Sequence, residues 1–320
     1  MKCKICGQRI DSPDYLITKD YNYGGDEEFR YFECPYCNCL QLENIPEDLG
    51  KYYGARYYSF SMNAIEKKTN ERMIQKLMKI RDKCEISNRE TKGILGKMLI
   101  TVLPRIAYRY IGIYCEKHSA ILDVGCGDGY LLQLLKEMGY QNLTGLDKFL
   151  ETTVEGEGLL IKKGEIQEIT EKFDFIMCNH SFEHMDNPQE VIEQINNCLN
   201  IGGVCMICIP VSQSVALEQY GGYWVQLDAP RHLYLHSEAS MSMLISNTKL
   251  KIKEIVYDSN AFQFIGSEQY RNGKNGADRR KFGELVRFTM LSLLKYGRLA
   301  KKVNEQRRGD QAIFILTKEG

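Results

Sequence analysis

One run constrains this chain more than any other. Residues 121–130 read Ile-Leu-Asp-Val-Gly-Cys-Gly-Asp-Gly-Tyr, an apolar strand pattern that stops at Gly125, Gly127 and Gly129 and gives way to an apolar helix pattern. Glycine reaches positive φ without steric cost and lets a ligand approach the main chain, so the run predicts a strand, a tight ligand-facing turn and a helix. A dinucleotide fingerprint would need glycine where Tyr130 stands, and no phosphate-binding lysine follows. Asp147 closes the next strand pattern, about twenty residues on, where a carboxylate can accept hydrogen bonds from both hydroxyls of a ribose. Turn and carboxylate together specify an adenosine-type ligand without a pyrophosphate.

From residue 119 the pattern alternates strand, turn and helix, which predicts an α/β domain with a mainly parallel sheet. Residues 120–125, 142–147, 157–163, 173–179 and 202–210 read as successive strands, with 249–258 and 311–318 as two closing strands. The stretch between the closing strands, 260–309, is far too long for a hairpin and reads as an insertion with a helix over 280–304. Upstream, residues 1–60 are rich in cysteine and tyrosine and read as a small module, and 61–118 as a helical connector or lid. In the connector, Ile65, Met73, Leu77 and Ile80 fall at helical spacing, and a second helix over about 93–117 is bent by Pro104.

These residues resemble the class I methyltransferases that use S-adenosylmethionine (SAM), over about residues 119–260 plus the last strand. The resemblance implies a Rossmann-like seven-stranded sheet with helices on both faces, and SAM as methyl donor. It places Gly125, Gly127 and Gly129 against the methionine part, with Cys126 as a small side chain fitting inside the turn. Asp123 would sit beneath the ligand, Asp147 would hold the ribose, and Glu165 and Ile166 would flank the adenine, although the family more often has aspartate at the position of Glu165. The segment from Phe173 to Pro188 resembles the one in which the fourth strand ends beside the reactive methyl, which puts Asn179 at the cofactor.

Four of the five histidines fall in two short segments, His180 and His184 after that strand and His232 and His236 in YWVQLDAPRHLYLHS. The second segment resembles the W…D-x-PRHL pattern of methyltransferases acting on sugars, capsule or lipopolysaccharide precursors and quinone-type metabolites. A methyl on a sulfonium needs an in-line nucleophile held close, and a hydroxyl acceptor needs a base. His180 and His232, with Asp228 and Arg231, are therefore the candidate catalytic residues. For His184 a structural role capping the following helix is favoured, and loop-holding hydrogen bonds are the alternative for Arg231 and His232.

Cys3-x-x-Cys6 and Cys34-x-x-Cys37 make two knuckles, the spacing of a closed four-thiolate zinc site whose role is structural. Cys39 could replace Cys37. Cys205 and Cys208, three apart on a strand, point to opposite faces and read as core. The remaining cysteines have no partner spacing, and the N-terminal residues contain no signal-like apolar run, so a reducing, cytoplasmic setting is expected.

Lysine plus arginine and aspartate plus glutamate both number 42, and residues 1–50 hold five basic against ten acidic side chains. A nucleic-acid partner is therefore not expected; the expected partner is a small-molecule or glycan-type acceptor. Residues 270–308 hold twelve basic and three acidic side chains, so the helix over 280–304, with Leu285, Phe288, Leu291, Leu294 and Leu299, could meet an anionic membrane or a lipid-linked acceptor, cap the acceptor pocket or form a homodimer contact. Tyr57 or Tyr58, in the tyrosine run 52–58, could lie over SAM as a lid. Two other readings stay open: an RNA or protein methyltransferase that uses the zinc module for recognition, and a SAM-binding scaffold without turnover.

Overall fold

The computed structural model describes residues 1–53, 69–87, 93–102, 105–275 and 290–320. Its N-terminal strands are β1 (Tyr15–Lys19), β2 (Glu28–Glu33) and β3 (Leu40–Leu42), followed by helices α1 (Thr69–Ile86), α2 (Ile94–Val102) and α3 (Ile106–Tyr114). The main sheet begins with β4 (Ala120–Val124) and continues through α4 (Tyr130–Glu137), β5 (Asn142–Asp147), β6 (Val154–Gly156), β7 (Leu159–Lys163) and β8 (Phe173–Asn179). Then come α5 (Pro188–Cys198), β9 (Leu199–Pro210), α6 (Val215–Tyr220), β10 (Tyr234–Leu235), α7 (Glu238–Ile245) and β11 (Leu250–Tyr257). The chain closes with α8 (Phe262–Arg271), α9 (Met290–Glu305) and β12 (Gln311–Lys318).

The large sheet runs β11-β12-β9-β8-β4-β5-β7-β6. The pairs β9-β8-β4-β5-β7 are parallel, while β12 lies antiparallel between β9 and β11. The seven expected strands are present, and the three-residue β6 pairs antiparallel with β7 as an eighth at the edge. Period-two alternation divides the apolar side chains between the two faces. Leu122, Val124, Ile176 and Cys205 pack under α5 and α7, whereas Ile121, Phe175, Met177 and Cys208 pack with Leu131, Leu135 and Ile111. Cys205 and Cys208 are thus core residues on opposite faces, as their spacing requires.

Pro104 lies outside the described residues; one helix ends at Val102 and another begins at Ile106. The stripe expected on the first connector helix is not the buried one. Ile65 lies outside the described residues, and Met73 and Ile80 are 58% and 39% exposed. Arg81, Asp82, Cys84, Glu85 and Ile86 are buried instead. The polar members have partners: Arg81 pairs with Asp82 at 2.7 Å, Tyr130 donates to Asp82 at 3.1 Å, and Arg109 reaches Glu85 at 3.3 Å. Paired charges can be buried, so here the charged letters do not mark the solvent face.

The N-terminal strands do not form a module closed on itself. Their sheet runs β1-β2-β3-β10, so its fourth strand comes from the segment after Arg231. One core joins Phe29, Tyr31, Leu40 and Leu42 to Trp224, Leu233, Tyr234, Phe264, Tyr270, Ala300 and Val303. The insertion therefore packs on the N-terminal strands through α8 and α9. A boundary at residue 60 separates chain segments but not packing units, because a segment of that size has too little apolar surface to bury alone. Leu285 and Phe288 of the expected insertion helix lie outside the described residues, as do Tyr57 and Tyr58, whereas Leu299 packs against this core.

Candidate functional site

At the C-terminal end of β4 the three glycines take positive φ, 78° at Gly125, 57° at Gly127 and 76° at Gly129. Gly125 leaves no room for a side chain, since a Cβ there would stand 2.3 Å from the Ser181 Cβ. The N–H groups of Gly125 and Cys126 donate to Leu146 O, and that of Gly127 to Asp147 Oδ2 at 3.0 Å, which ties the turn to the end of β5. Asp147 also accepts from Phe149 N at 2.9 Å. Its carboxyl is raised above the usual range by burial, against these two backbone bonds. Asp123 is 3% exposed with no hydrogen-bond partner on Oδ1 among the described residues, and burial, then the Asp147 charge, pushes it up to about 7.

A cleft opens beside this turn, at the C-terminal strand ends where open α/β sheets bind ligands. Its walls include Val124, Gly125, Asp147, Glu165, Ile166, His180, Ser181 and His184, so Gly125, Asp147, Glu165, Ile166 and His180 of the sequence-derived set meet around one space. Asp123, Cys126, Gly127, Gly129 and Asn179 are not among its wall residues. Cys126 packs toward Gly145, where an added Cβ would lie 2.8 Å from its Sγ, in keeping with a small side chain fitting the turn. Tyr53, Phe149 and Met185 also line the cleft. Tyr53 stacks on Phe149 with ring centroids 4.7 Å apart, and its hydroxyl lies 3.1 Å from His184 Nδ1. Tyr53, from the same tyrosine run, gives the cleft an aromatic wall.

The residue that sequence reasoning missed is Glu183. It is fully buried, and neither carboxylate oxygen has a hydrogen-bond partner among the described residues. His180 Nδ1 lies 3.6 Å from Oε1 and His232 Nε2 3.8 Å from the same oxygen. Burial works against ionisation, but His180 at 3.6 Å and the positive potential of His184 and His232 hold the carboxyl down at about 2. Burial likewise opposes protonation of His180, yet the Glu183 carboxylate outweighs it and raises that imidazole above its usual value. His184 is pushed down to about 4, chiefly by burial. The pattern His180-x-x-Glu183-His184 was visible in the sequence, but glutamate is so seldom fully buried that nothing drew attention to it.

The PRHL segment divides. Arg231 is fully buried and donates all five of its N–H groups. Nη1 bonds Asp20 Oδ2 at 2.8 Å and Tyr52 O at 3.1 Å, Nη2 bonds Asp20 Oδ1 at 2.9 Å and Asp228 Oδ1 at 2.7 Å, and Nε bonds Asp228 Oδ2 at 3.0 Å. A guanidinium with no donor left cannot bind an acceptor, so the expectation that Arg231 and Asp228 face the chemistry is corrected: they tie the N-terminal segment to the loop. His232 is 4% exposed, with Nδ1 donating to Gln226 O at 2.7 Å and Nε2 directed at Glu183. His184 is corrected as well. Asn187 occupies the N-cap of α5, and His184 Nδ1 bonds Arg231 O at 2.9 Å from the cleft wall.

Away from the cleft, the sulfurs of Cys3, Cys6, Cys34 and Cys37 gather within 4.8 Å of one another. Cys3 and Cys37 Sγ are 3.7 Å apart and Cys6 and Cys34 Sγ 3.6 Å, close to the edge of about 3.8 Å expected when four thiolates sit about 2.3 Å from one ion. Gln41 Nε2 donates to Cys3 Sγ at 2.9 Å, and the amides of Ile5 and Cys6 point at the same sulfur at 3.4 Å, as suits a thiolate. Cys39 is not in the group; its sulfur lies 4.0 Å from His236 Nδ1.

A family model described as a methyltransferase domain matches residues 97–254. A tRNA U34 carboxymethyltransferase of Campylobacter hominis is 30% identical over 94 residues, 26% of this chain and 33% of that protein. A ubiquinone biosynthesis O-methyltransferase of Rickettsia akari is 23% identical over 158 residues, 43% of this chain and 62% of that protein, and one of Actinobacillus pleuropneumoniae 32% over 109 residues, 29% and 45%. The chain thus spans between a third and three-fifths of the curated relatives it matches. Among solved structures, a chain from the Haloferax volcanii complex between the Trm112 methyltransferase activator and a methyltransferase aligns at TM-score 0.48 and 14% identity, covering 75% of this chain and 98% of that one. The match of residues 97–254 to a methyltransferase domain agrees with the expected methyltransferase fold. The expectation of no nucleic-acid partner is overturned, because two of the relatives are tRNA-modifying enzymes; overall charge balance does not report on a local acceptor site. No helix of the described residues is long and apolar enough to cross a membrane.

Proposed function

We propose that the chain transfers the methyl group of SAM to an oxygen of a small-molecule or glycan-type acceptor, with His180 as general base. The observation that carries this reading is the meeting of Gly125, Asp147, Glu165, Ile166 and His180 on the walls of one cleft. SAM supplies an electrophilic methyl on a sulfonium. Gly125 offers it bare backbone, the lone pairs of Asp147 not used by Gly127 and Phe149 are available to the ribose hydroxyls, and Ile166 gives the adenine an apolar wall. The acceptor oxygen attacks as the S–CH3 bond breaks, sulfur keeps the electron pair, and the acceptor proton passes to His180. Glu183 behind that imidazole stabilises the imidazolium that results. The ubiquinone O-methyltransferase relatives support an oxygen acceptor.

A tRNA acceptor is the second reading, supported by the two tRNA-modifying relatives. In both readings Cys3, Cys6, Cys34 and Cys37 would hold a structural zinc ion, which a closed four-sulfur set suits because it leaves no position for substrate. The direct test is calorimetric titration with S-adenosylhomocysteine (SAH), the product. Binding to the wild type that Asp147→Ala weakens about tenfold, about 1.4 kcal/mol, is expected; no binding by folded protein sinks the reading. With an acceptor found among hydroxylated metabolites, nucleotide sugars or tRNA, His180→Gln should lower kcat roughly 10²- to 10⁴-fold while SAH affinity stays within about threefold. SAH binding with no turnover on any acceptor would leave the scaffold reading.

A further inference from the structure

We propose that Glu183, His184 and His232 form a binding site for a divalent transition-metal ion, distinct from the four cysteines. One carboxylate oxygen of Glu183 and one ring nitrogen each of His184 and His232 lie within 4.8 Å of one another. The tautomers follow from the hydrogen bonds. His184 Nδ1 sits 2.9 Å from Arg231 O and His232 Nδ1 2.7 Å from Gln226 O, and a carbonyl oxygen can only accept, so each Nδ1 carries the proton. Both Nε2 atoms then present lone pairs. His232 Nε2 faces Glu183 Oε1 at 3.8 Å, and among the described residues His184 Nε2 and both Glu183 oxygens are buried without a hydrogen-bond partner.

Three lone-pair donors, one of them an anion, repel one another when they converge in a buried space, and unpaired buried polar atoms are costly. A cation at their centre removes both penalties. Ring nitrogens fixed by Nδ1–H bonds to backbone carbonyls are the usual arrangement of metal-ligating histidines, and two imidazoles with one carboxylate suit ions of the zinc, iron and manganese class. With bonds of about 2.1 Å, tetrahedral ligand atoms stand about 3.4 Å apart; the Glu183–His232 contact is 3.8 Å and the other pairs lie within 4.8 Å, so binding would draw the three ligands inward. Three protein ligands leave a coordination position open, and His184 lines the cleft. On the methyltransferase reading above, that position would bind the acceptor oxygen and lower its pKa before attack.

The test counts zinc by plasma mass spectrometry after the full chain has been equilibrated with excess Zn2+ and desalted, with SAH calorimetry on the same samples. Glu183→Gln and His232→Asn should each hold one zinc fewer per chain than the wild type while SAH binding persists, and Cys34→Ser should lose a different one. Equal zinc counts in the wild type and in both folded variants would overturn the site and assign the space to a shared proton. Loss of one zinc without SAH binding by any form would uphold the metal site and sink the methyltransferase reading instead.

Discussion

Arg231 and His232 are neighbours in the chain, yet they belong to regions built on opposite principles. Around Arg231 every donor has a partner, with two carboxylates and a carbonyl using all five N–H groups in full burial. Around His232 the accounts stay open, since both Glu183 oxygens and His184 Nε2 are buried with no hydrogen-bond partner among the described residues, as is Asp123 Oδ1 on β4. Both regions are buried and charged, so neither property separates scaffold from chemistry. Completeness of hydrogen bonding does. A closed network fixes the loop to the N-terminal segment, and an open one leaves buried polar groups with bonding capacity unused.

The largest effect that would sharpen this contrast is on the closed side. Arg231→Met should destabilise the protein by about 3–5 kcal/mol, because Asp20 and Asp228 would be left buried without their counter-ion. Denaturant unfolding measures it, and a loss below about 1 kcal/mol would show that the network is not what holds the segments together.

On the open side the effect is one of pH. Asp123 is raised from an ordinary 3.8 to about 7 by burial, so the folded state binds a proton more tightly than the unfolded state. Its contribution to stability is complete below about pH 4 and declines as pH rises to about 7, in total by on the order of 4 kcal/mol at 1.36 kcal/mol per unit. Glu183 and His184, both depressed, act with the opposite sign, so the readout is the difference between wild type and Asp123→Asn. The variant should gain on the wild type between pH 5 and pH 8; parallel stability curves would place a cation or a bound partner on Asp123.

The smallest effect concerns the bridge between the two regions. Tyr53→Phe keeps the ring against Phe149 and removes the hydroxyl near His184 Nδ1, so it should cost about 0.5–1.5 kcal/mol in SAH affinity or stability. A larger loss would mean that Tyr53 positions His184 rather than merely covering it.

Much of the cofactor side was legible because it is local. Gly125, Gly127 and Gly129 need positive φ within five residues, and Asp147 follows at the end of the next strand, where the βαβ rhythm places it beside the turn. The two C-x-x-C pairs were legible for the same reason, since each knuckle is a single short turn. The first connector helix was misread because hydrophobic periodicity assumes that charges face water, and Arg81, Asp82 and Glu85 found partners inside. The role of Arg231 could not be read either, because Asp20, which fills its fork, lies 211 positions away.

What the sequence determined by itself was the sheet, the glycine turn with its carboxylate, and the four gathered cysteines, all set by backbone conformation and short-range periodicity. Tertiary structure alone decided that the N-terminal strands borrow β10 and the insertion for their core, that Arg231 is a tie, and that Glu183 stands between His180 and His232. Those facts depend on which polar atoms meet after distant segments pack, and on which are left without a partner once they have.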